Sequence, residues 1–208
     1  MLKGVQMPEL LTPLWILGLV GVLSYLLGAI PFGIVIARVM GLGDLRQIGS
    51  GNIGATNVMR TGNKFAGVLT FALDAGKGAI AAATAWILFG EDAGQIAALA
   101  AFLGHIYPVY LGFRGGKGVA TFIGTALVLS WPVALAVCAI WALVFSLSRY
   151  SSLAALVACI ASPVLAAVLG YGSMMLLFAL LATMVVYKHA ENIRRLVAGT
   201  ESRFERKR

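Results

Sequence analysis

The stretch VATFIGTALVLSWPVALAVCAIWALVFSL, residues 119–147, carries no charged side chain. How it is divided decides the fold. As one α-helix it would extend about 43 Å at 1.5 Å per residue, well beyond a hydrocarbon core of about 30 Å. At its middle stands Ser130-Trp131-Pro132, a helix-start and turn signal. The reading is therefore two short helices, 119–129 and 132–147. Five more apolar runs flank them, at 10–37 (interrupted by Pro31), 66–89, 94–111, 153–169 and 173–187.

Charge supports the division. With seven spans, residues 1–9, 90–93, 130–132 and 170–172 share one side and hold only Lys3 among the basic residues. Residues 38–65, 112–118, 148–152 and 188–208 share the other and hold fourteen of the sixteen Lys and Arg, Lys77 lying inside a span. A single long helix would set Arg149 opposite Arg114 and Lys117. Basic loops mark the cytoplasmic side. The prediction is an all-α integral membrane protein of seven transmembrane helices, some short or broken, N-terminus out and C-terminus in. It forms a single membrane-embedded domain over residues 1–208. Short helices at membrane depth are tolerated where they are buried in protein or line a wet cavity, so a pocket on the basic side is expected.

Composition agrees. The 208 residues are 60% hydrophobic and 12% charged, with mean hydropathy +0.92, whereas ordinary globular chains are about 45–50% apolar and about 25% charged. A soluble nucleotide-binding enzyme, a disulfide scaffold and a disordered chain are excluded. The net charge of +8 reflects the positive-inside bias, not a nucleic-acid partner. Cys138 and Cys159 lie in apolar runs without metal-ligand spacing and read as inert core thiols. The start is weakly charged (Lys3, Glu9), so the first run is read as a retained helix, not a cleaved signal.

The chemistry-bearing residues all fall on the basic side. Residues 49–62 run Gly49-Ser50-Gly51-Asn52-Ile53-Gly54-Ala55-Thr56-Asn57-Val58-Met59-Arg60-Thr61-Gly62. Glycines admit positive φ and turn successive N–H groups toward one point, a nest for an anion. Ser50, Asn52, Thr56 and Asn57 add side-chain donors, and Arg60 a planar fork for phosphate. A second loop, Arg114-Gly115-Gly116-Lys117-Gly118, opens into a helix and suits a phosphate at its positive N-terminus. Ser148-Arg149-Tyr150-Ser151-Ser152 begins a further helix and is able to cap it. His189 and Asn192, at i and i+3 on a helix, face one direction. Residues 194–208 read as an interfacial basic tail. Within the second span, Asp74 and Lys77 at i and i+3 read as an internal pair, with Lys77 as a phosphate-lining residue the alternative. His105 and Tyr107 read as satisfied core polar residues.

Carboxylates near these loops are few: Asp44, Asp74 and Glu191. A paired-Asp metal site is poorly supported, and no Gly-x-Ser-x-Gly elbow occurs. No metal and no cofactor are expected. What remains is phosphate binding and electrostatic stabilisation at a membrane surface.

On Gly49–Asn57 with Arg60, on Gly115–Thr121 and on His189–Ile193, the chain resembles the bacterial acyl-phosphate:glycerol-3-phosphate acyltransferase (PlsY) family. The resemblance covers nearly the whole chain, with three motifs in the right order. It implies transfer of a fatty acyl group from acyl phosphate to the sn-1 hydroxyl of glycerol-3-phosphate, giving lysophosphatidic acid and phosphate. It also implies the bacterial inner membrane, a cytoplasmic active site and a functional partner enzyme that forms acyl phosphate. On this resemblance Ser50 and Arg60 matter for catalysis, and His189 and Asn192 are assigned beside them as catalytic. Ser50, Gly51, Asn52, Gly54, Thr56, Asn57, Ser151 and Ser152 bind acyl phosphate. Arg60, Gly115, Gly116, Lys117, His189 and Asn192 bind glycerol-3-phosphate. Asp74 and Lys77 are placed as structural, and so is Glu191. The general base is either His189 or a substrate phosphate. The rival class is a transporter of phosphate or a small organic anion, for which basic loops and an intramembrane ion pair would serve. Against it, no inverted repeat is visible and the outer loops offer little polar lining.

Overall fold

The computed structural model describes residues 10–204, so Lys3, Glu9 and residues 205–208 of the tail lie outside the described residues. Among the described residues there are ten α-helices and no strand. They form two compact units, residues 10–129 and residues 130–204.

The first unit contains α1 (Leu14–Gly28), α2 (Phe32–Val39), α3 (Ala55–Met59), α4 (Lys64–Phe89), α5 (Glu91–Ile106) and α6 (Val119–Leu129). The first apolar run, expected at 10–37, begins as helix only at Leu14, because Pro13 sets the N-cap. Before it, the N–H groups of Leu11 and Thr12 and the Thr12 hydroxyl all donate to the Asp92 carboxylate. Asp92 was expected in an outer loop. It instead stands in the first turn of α5, where its charge also meets the positive helix end.

The same run is broken at Ala29–Pro31, between α1 and α2. Pro31 has no N–H to continue the helix. The Ile30 carbonyl accepts a hydrogen bond from Lys77 Nζ at 2.8 Å. α6 is 11 residues long, about 16 Å, half the apolar core. It lies against α4 so closely that a Cβ on Gly124 would collide with the Ala75 carbonyl. One core cluster of this unit is largely alanine, with Ala81, Ala85, Ala93, Ala97 and Ala101 around Leu17 and Val20. Small side chains let backbones approach where lipid removes the usual hydrophobic drive. Large residues face outward instead, as at Leu14 and Trp15, which are 76% and 73% exposed.

The second unit contains α7 (Trp131–Ser148), α8 (Ser151–Val168), α9 (Met175–Lys188) and α10 (Ala190–Val197). The division at Ser130 is where the sequence placed it, with Pro132 in the first turn of α7. α7, at 18 residues, is long enough to span, unlike the short half expected. Five segments are long and apolar enough to cross a membrane: Leu14–Val39, Lys64–Phe89, Glu91–Leu111, Trp131–Ser148 and Ser151–Val168. The pair Gly172–Lys188 and Ala190–Val197, bent by 60°, makes up to six. α6 is the segment that falls short of the expected seven.

Candidate active site

In the first unit the long loop folds around Asn57. This residue is 1% exposed. Its Oδ1 accepts from the Ser50 N–H at 3.1 Å and lies 3.4 Å from the Ser50 hydroxyl, while its Nδ2 donates to the Leu45 carbonyl at 2.8 Å. Expected as a ligand donor, Asn57 thus turns its amide into the loop and holds Ser50. Gly49 has φ +53, and a Cβ there would lie 2.6 Å from Asn57 Oδ1 and 2.7 Å from Arg60 Cδ. The Arg60 side chain therefore runs directly against Gly49, beside Ser50. Gly51 also has positive φ, and its N–H donates to the Ile48 carbonyl. Gly54 caps α3 and Asn52 lies against it. Ser50, Asn52, Thr56 and Arg60 are half-buried, reachable from outside.

The second loop is fixed from below. The Gly116 N–H donates to the His105 carbonyl at 3.1 Å, and a Cβ on Gly116 would collide with the His105 imidazole. Lys117, half-buried, follows. Arg46, which sequence reading passed over, fastens the two loops: its Nη2 donates to the Arg114 carbonyl at 2.7 Å. An Arg at the start of a polar loop gives no sign of a partner nearly seventy positions away. This bond ties the loop that holds Ser50 and Arg60 to the loop that holds Lys117.

Asp74 and Lys77 pair at 2.8 Å, as expected. His105 joins them, with Nδ1 3.5 Å from the same Asp74 oxygen. All three are nearly fully buried. Lys77 Nζ also lies 5.6 Å from the Phe32 ring centroid.

In the second unit, Arg149 ends α7 in a left-handed conformation, φ +65. Tyr150, not a serine, is the N-cap of α8, and no side chain caps it. Ser152 is spent otherwise: its hydroxyl donates to Glu201 Oε1 at 2.6 Å. Asn192 Nδ2 donates to the same oxygen at 2.6 Å, and Arg195 Nε donates to Oε2 at 2.7 Å. The tail is no loose interfacial strand up to this point. Phe204 N–H donates to the Arg149 carbonyl, its ring meets Phe145 edge-on, and Arg203 lies over Tyr150. Burial raises the Glu201 carboxyl, but the donors Ser152, Asn192 and Arg195, together with the Arg195 charge, outweigh it and hold it below the usual carboxylate range. Glu191, by contrast, is exposed, its carboxylate 3.9 Å from Arg195.

His189 and Asn192 are both buried, but not on one continuous helix. His189 ends α9 and precedes α10, with Nδ1 2.8 Å from the Val185 carbonyl. Cys138 and Cys159 are free thiols. Among the described residues no three His, Cys, Asp or Glu side chains gather as a metal-ligand group.

The helices and loops define an all-α integral membrane protein that presents glycine-rich, cationic loops. The family model described as glycerol-3-phosphate acyltransferase matches residues 18–199. This chain belongs to that family. A glycerol-3-phosphate acyltransferase of Jannaschia sp. (strain CCS1) is 58% identical over 196 residues, covering 94% of this chain and 97% of that protein. One of Cereibacter sphaeroides (strain ATCC 17029 / ATH 2.4.9) is 59% identical over 201 residues, covering 97% of this chain and 100% of that protein. Among solved structures, the crystal structure of PlsY, an integral membrane glycerol 3-phosphate acyltransferase, in its glycerol 3-phosphate form matches with TM-score 0.87 and 44% identity. That match covers 91% of this chain and 96% of that one. Its lysophosphatidic acid form matches with TM-score 0.83 and 41% identity, over 91% and 95%.

Proposed function

We propose that this chain acylates the sn-1 hydroxyl of glycerol-3-phosphate with acyl phosphate as donor. It is an acyltransferase that makes lysophosphatidic acid in phospholipid biosynthesis, and glycerol-3-phosphate is its substrate. The observation that carries the assignment of the site is the fastening of the two glycine-rich loops by Arg46 to the Arg114 carbonyl. It keeps Arg60 and Lys117 in a single assembly, suited to two phosphate-bearing substrates.

In this reading the acyl-phosphate headgroup occupies the Ser50–Asn57 loop. Ser50, Asn52, Gly54 and Thr56 supply its donors, Gly51, whose N–H is held by the Ile48 carbonyl, shapes the turn, and Ser151 assists beside Ser152, whose hydroxyl is engaged by Glu201. Lys117, Arg60 and Gly115 grip glycerol-3-phosphate, and Gly116, whose N–H is held by the His105 carbonyl, lines the turn. His189 and Asn192 are assigned to the same substrate on the family resemblance. The sn-1 oxygen attacks the acyl carbonyl carbon, the carbon–oxygen bond to phosphate breaks, and phosphate leaves with that electron pair. The hydroxyl proton goes to His189 or to a phosphate oxygen. Because acyl phosphate is already activated, positioning and charge neutralisation supply most of the catalysis.

The proposed topology keeps α6 as a short seventh crossing, with the N-terminus outside. The loops 38–65 and 112–118 then face the cytoplasm of a bacterial inner membrane, and residues 1–208 act as one catalytic domain. The charge asymmetry supports this orientation.

The test uses purified protein in detergent, palmitoyl phosphate and labelled glycerol-3-phosphate, with acyl-CoA and acyl carrier protein arms, each with and without chelator. Lysophosphatidic acid is expected from acyl phosphate alone and undiminished by chelator. Product from acyl-CoA alone overturns the donor. For the base, His189→Ala that raises KM for glycerol-3-phosphate with kcat kept assigns the proton to phosphate.

A further inference from the structure

The buried Asp74–Lys77–His105 cluster lies outside the residues assigned to substrate, yet it reaches two places that matter. On one side Lys77 Nζ holds Asp74 at 2.8 Å and the Ile30 carbonyl at 2.8 Å, at the break in the first span. On the other, Asp74 Oδ1 stands 3.5 Å from His105 Nδ1. The Thr121 hydroxyl of α6 donates to the Asp74 carbonyl at 2.9 Å. His105 itself forms the floor of the second loop: its carbonyl takes the Gly116 N–H, and its Nε2 edge lies against Gly116. Lys117 is the next residue. An ion pair at membrane depth has a high desolvation cost.

We propose that His105 is a positioning residue for acyl transfer. Anchored by Asp74 and Lys77, it sets the height of the Gly115–Gly116 turn and so the place from which Lys117 meets the phosphate of glycerol-3-phosphate. Asp74 selects the imidazole tautomer with hydrogen on Nδ1 and fixes the ring plane. The ring plane then determines how closely Gly116 approaches. The inference rests on the reading of Lys117 as a glycerol-3-phosphate ligand.

The experiment measures kcat and both KM values on the purified full chain with palmitoyl phosphate and glycerol-3-phosphate. Its variants are His105→Phe, His105→Asn, Asp74→Asn, Lys117→Ala and the His105→Phe/Lys117→Ala pair. His105→Phe is expected to raise KM for glycerol-3-phosphate about tenfold while KM for palmitoyl phosphate stays within about twofold. His105→Asn, whose amide N–H replaces Nδ1–H toward Asp74, is expected to recover KM to within about threefold of the parent. Asp74→Asn shifts the same KM in the same direction. It reaches His105 from the far side of the cluster, so it decides the matter if His105→Phe fails to fold. In the Lys117→Ala background His105→Phe adds nothing further, because both act through one contact.

An equal rise in both KM values, a loss confined to kcat, or additivity with Lys117→Ala overturns the proposal. If Lys117→Ala raises KM and His105→Phe does not, only the positioning role falls. If Lys117→Ala leaves KM unchanged, the Lys117 assignment falls and this inference with it.

Discussion

The Ser152 hydroxyl and the Asn192 amide donate to the same oxygen of Glu201, each at 2.6 Å. One carboxylate therefore joins the start of α8 to α10, and the Arg195 guanidinium takes its other oxygen. Glu201→Ala strands these buried donors. The variant is expected to lose about 2–4 kcal/mol of stability, and Glu201→Gln less. Thermal unfolding followed by tryptophan fluorescence measures both.

The same carboxylate gives a pH dependence. Its folded value lies below the unfolded one. Its stabilisation is therefore complete above the ordinary glutamate range and is lost as pH falls through the lowered folded value. Melting temperature measured from neutral pH down to about pH 4 should fall less steeply in Glu201→Gln than in the parent.

Arg46 is exposed, and its guanidinium ties one loop to another. Arg46→Gln should leave the melting temperature nearly unchanged, since exposed substitutions usually stay within about 0.5 kcal/mol. Both KM values should rise severalfold, because each substrate loop loses its neighbour. Unchanged kinetics would show that the tie has no part in catalysis.

Asn57 is both acceptor and donor. Asn57→Asp keeps the acceptor for Ser50 and loses the donor to Leu45. Asn57→Ala loses both and should cost roughly 2–3 kcal/mol. If holding Ser50 is what matters for turnover, kcat should survive better in Asn57→Asp than in Asn57→Ala at a temperature where both are folded.

Asp92 collects Leu11, Thr12 and the Ala93 N–H. Asp92→Ala should destabilise the first unit by about 3 kcal/mol and leave the KM of the folded fraction unchanged. Size-exclusion profiles after graded heating, with kinetics on the surviving monodisperse peak, separate the two.

What was legible in the chain was what lies close in sequence. The Ser130-Trp131-Pro132 division announces itself by composition, and the Asp74–Lys77 pair by its spacing. The glycine-rich loops stand out against so apolar a background. What stayed hidden depends on partners far along the chain. His105 reads as one polar residue in an apolar helix until α4 brings Asp74 beside it. Glu201 sits among arginines and reads as tail, yet burial and three donors make it a keystone of its unit. The break at His189 was also missed, because nothing from His189 to Asn192 forbids a helix. Its ring bonds back to Val185 while Asn192 is drawn to Glu201.

The Lys77 ammonium at the Ile30 carbonyl gives the broken first span an unusual character. A proline break in a membrane helix is commonly a place where motion is concentrated. Here the gap is filled by a cation whose counter-charge sits one turn away on the same helix. Drawing Ile30 into a continuous helix would leave that cation without one of its acceptors in hydrocarbon. The break is pinned in place. Any attempt to neutralise the intramembrane charges for easier expression has to replace Asp74 and Lys77 together and supply a new donor for Ile30.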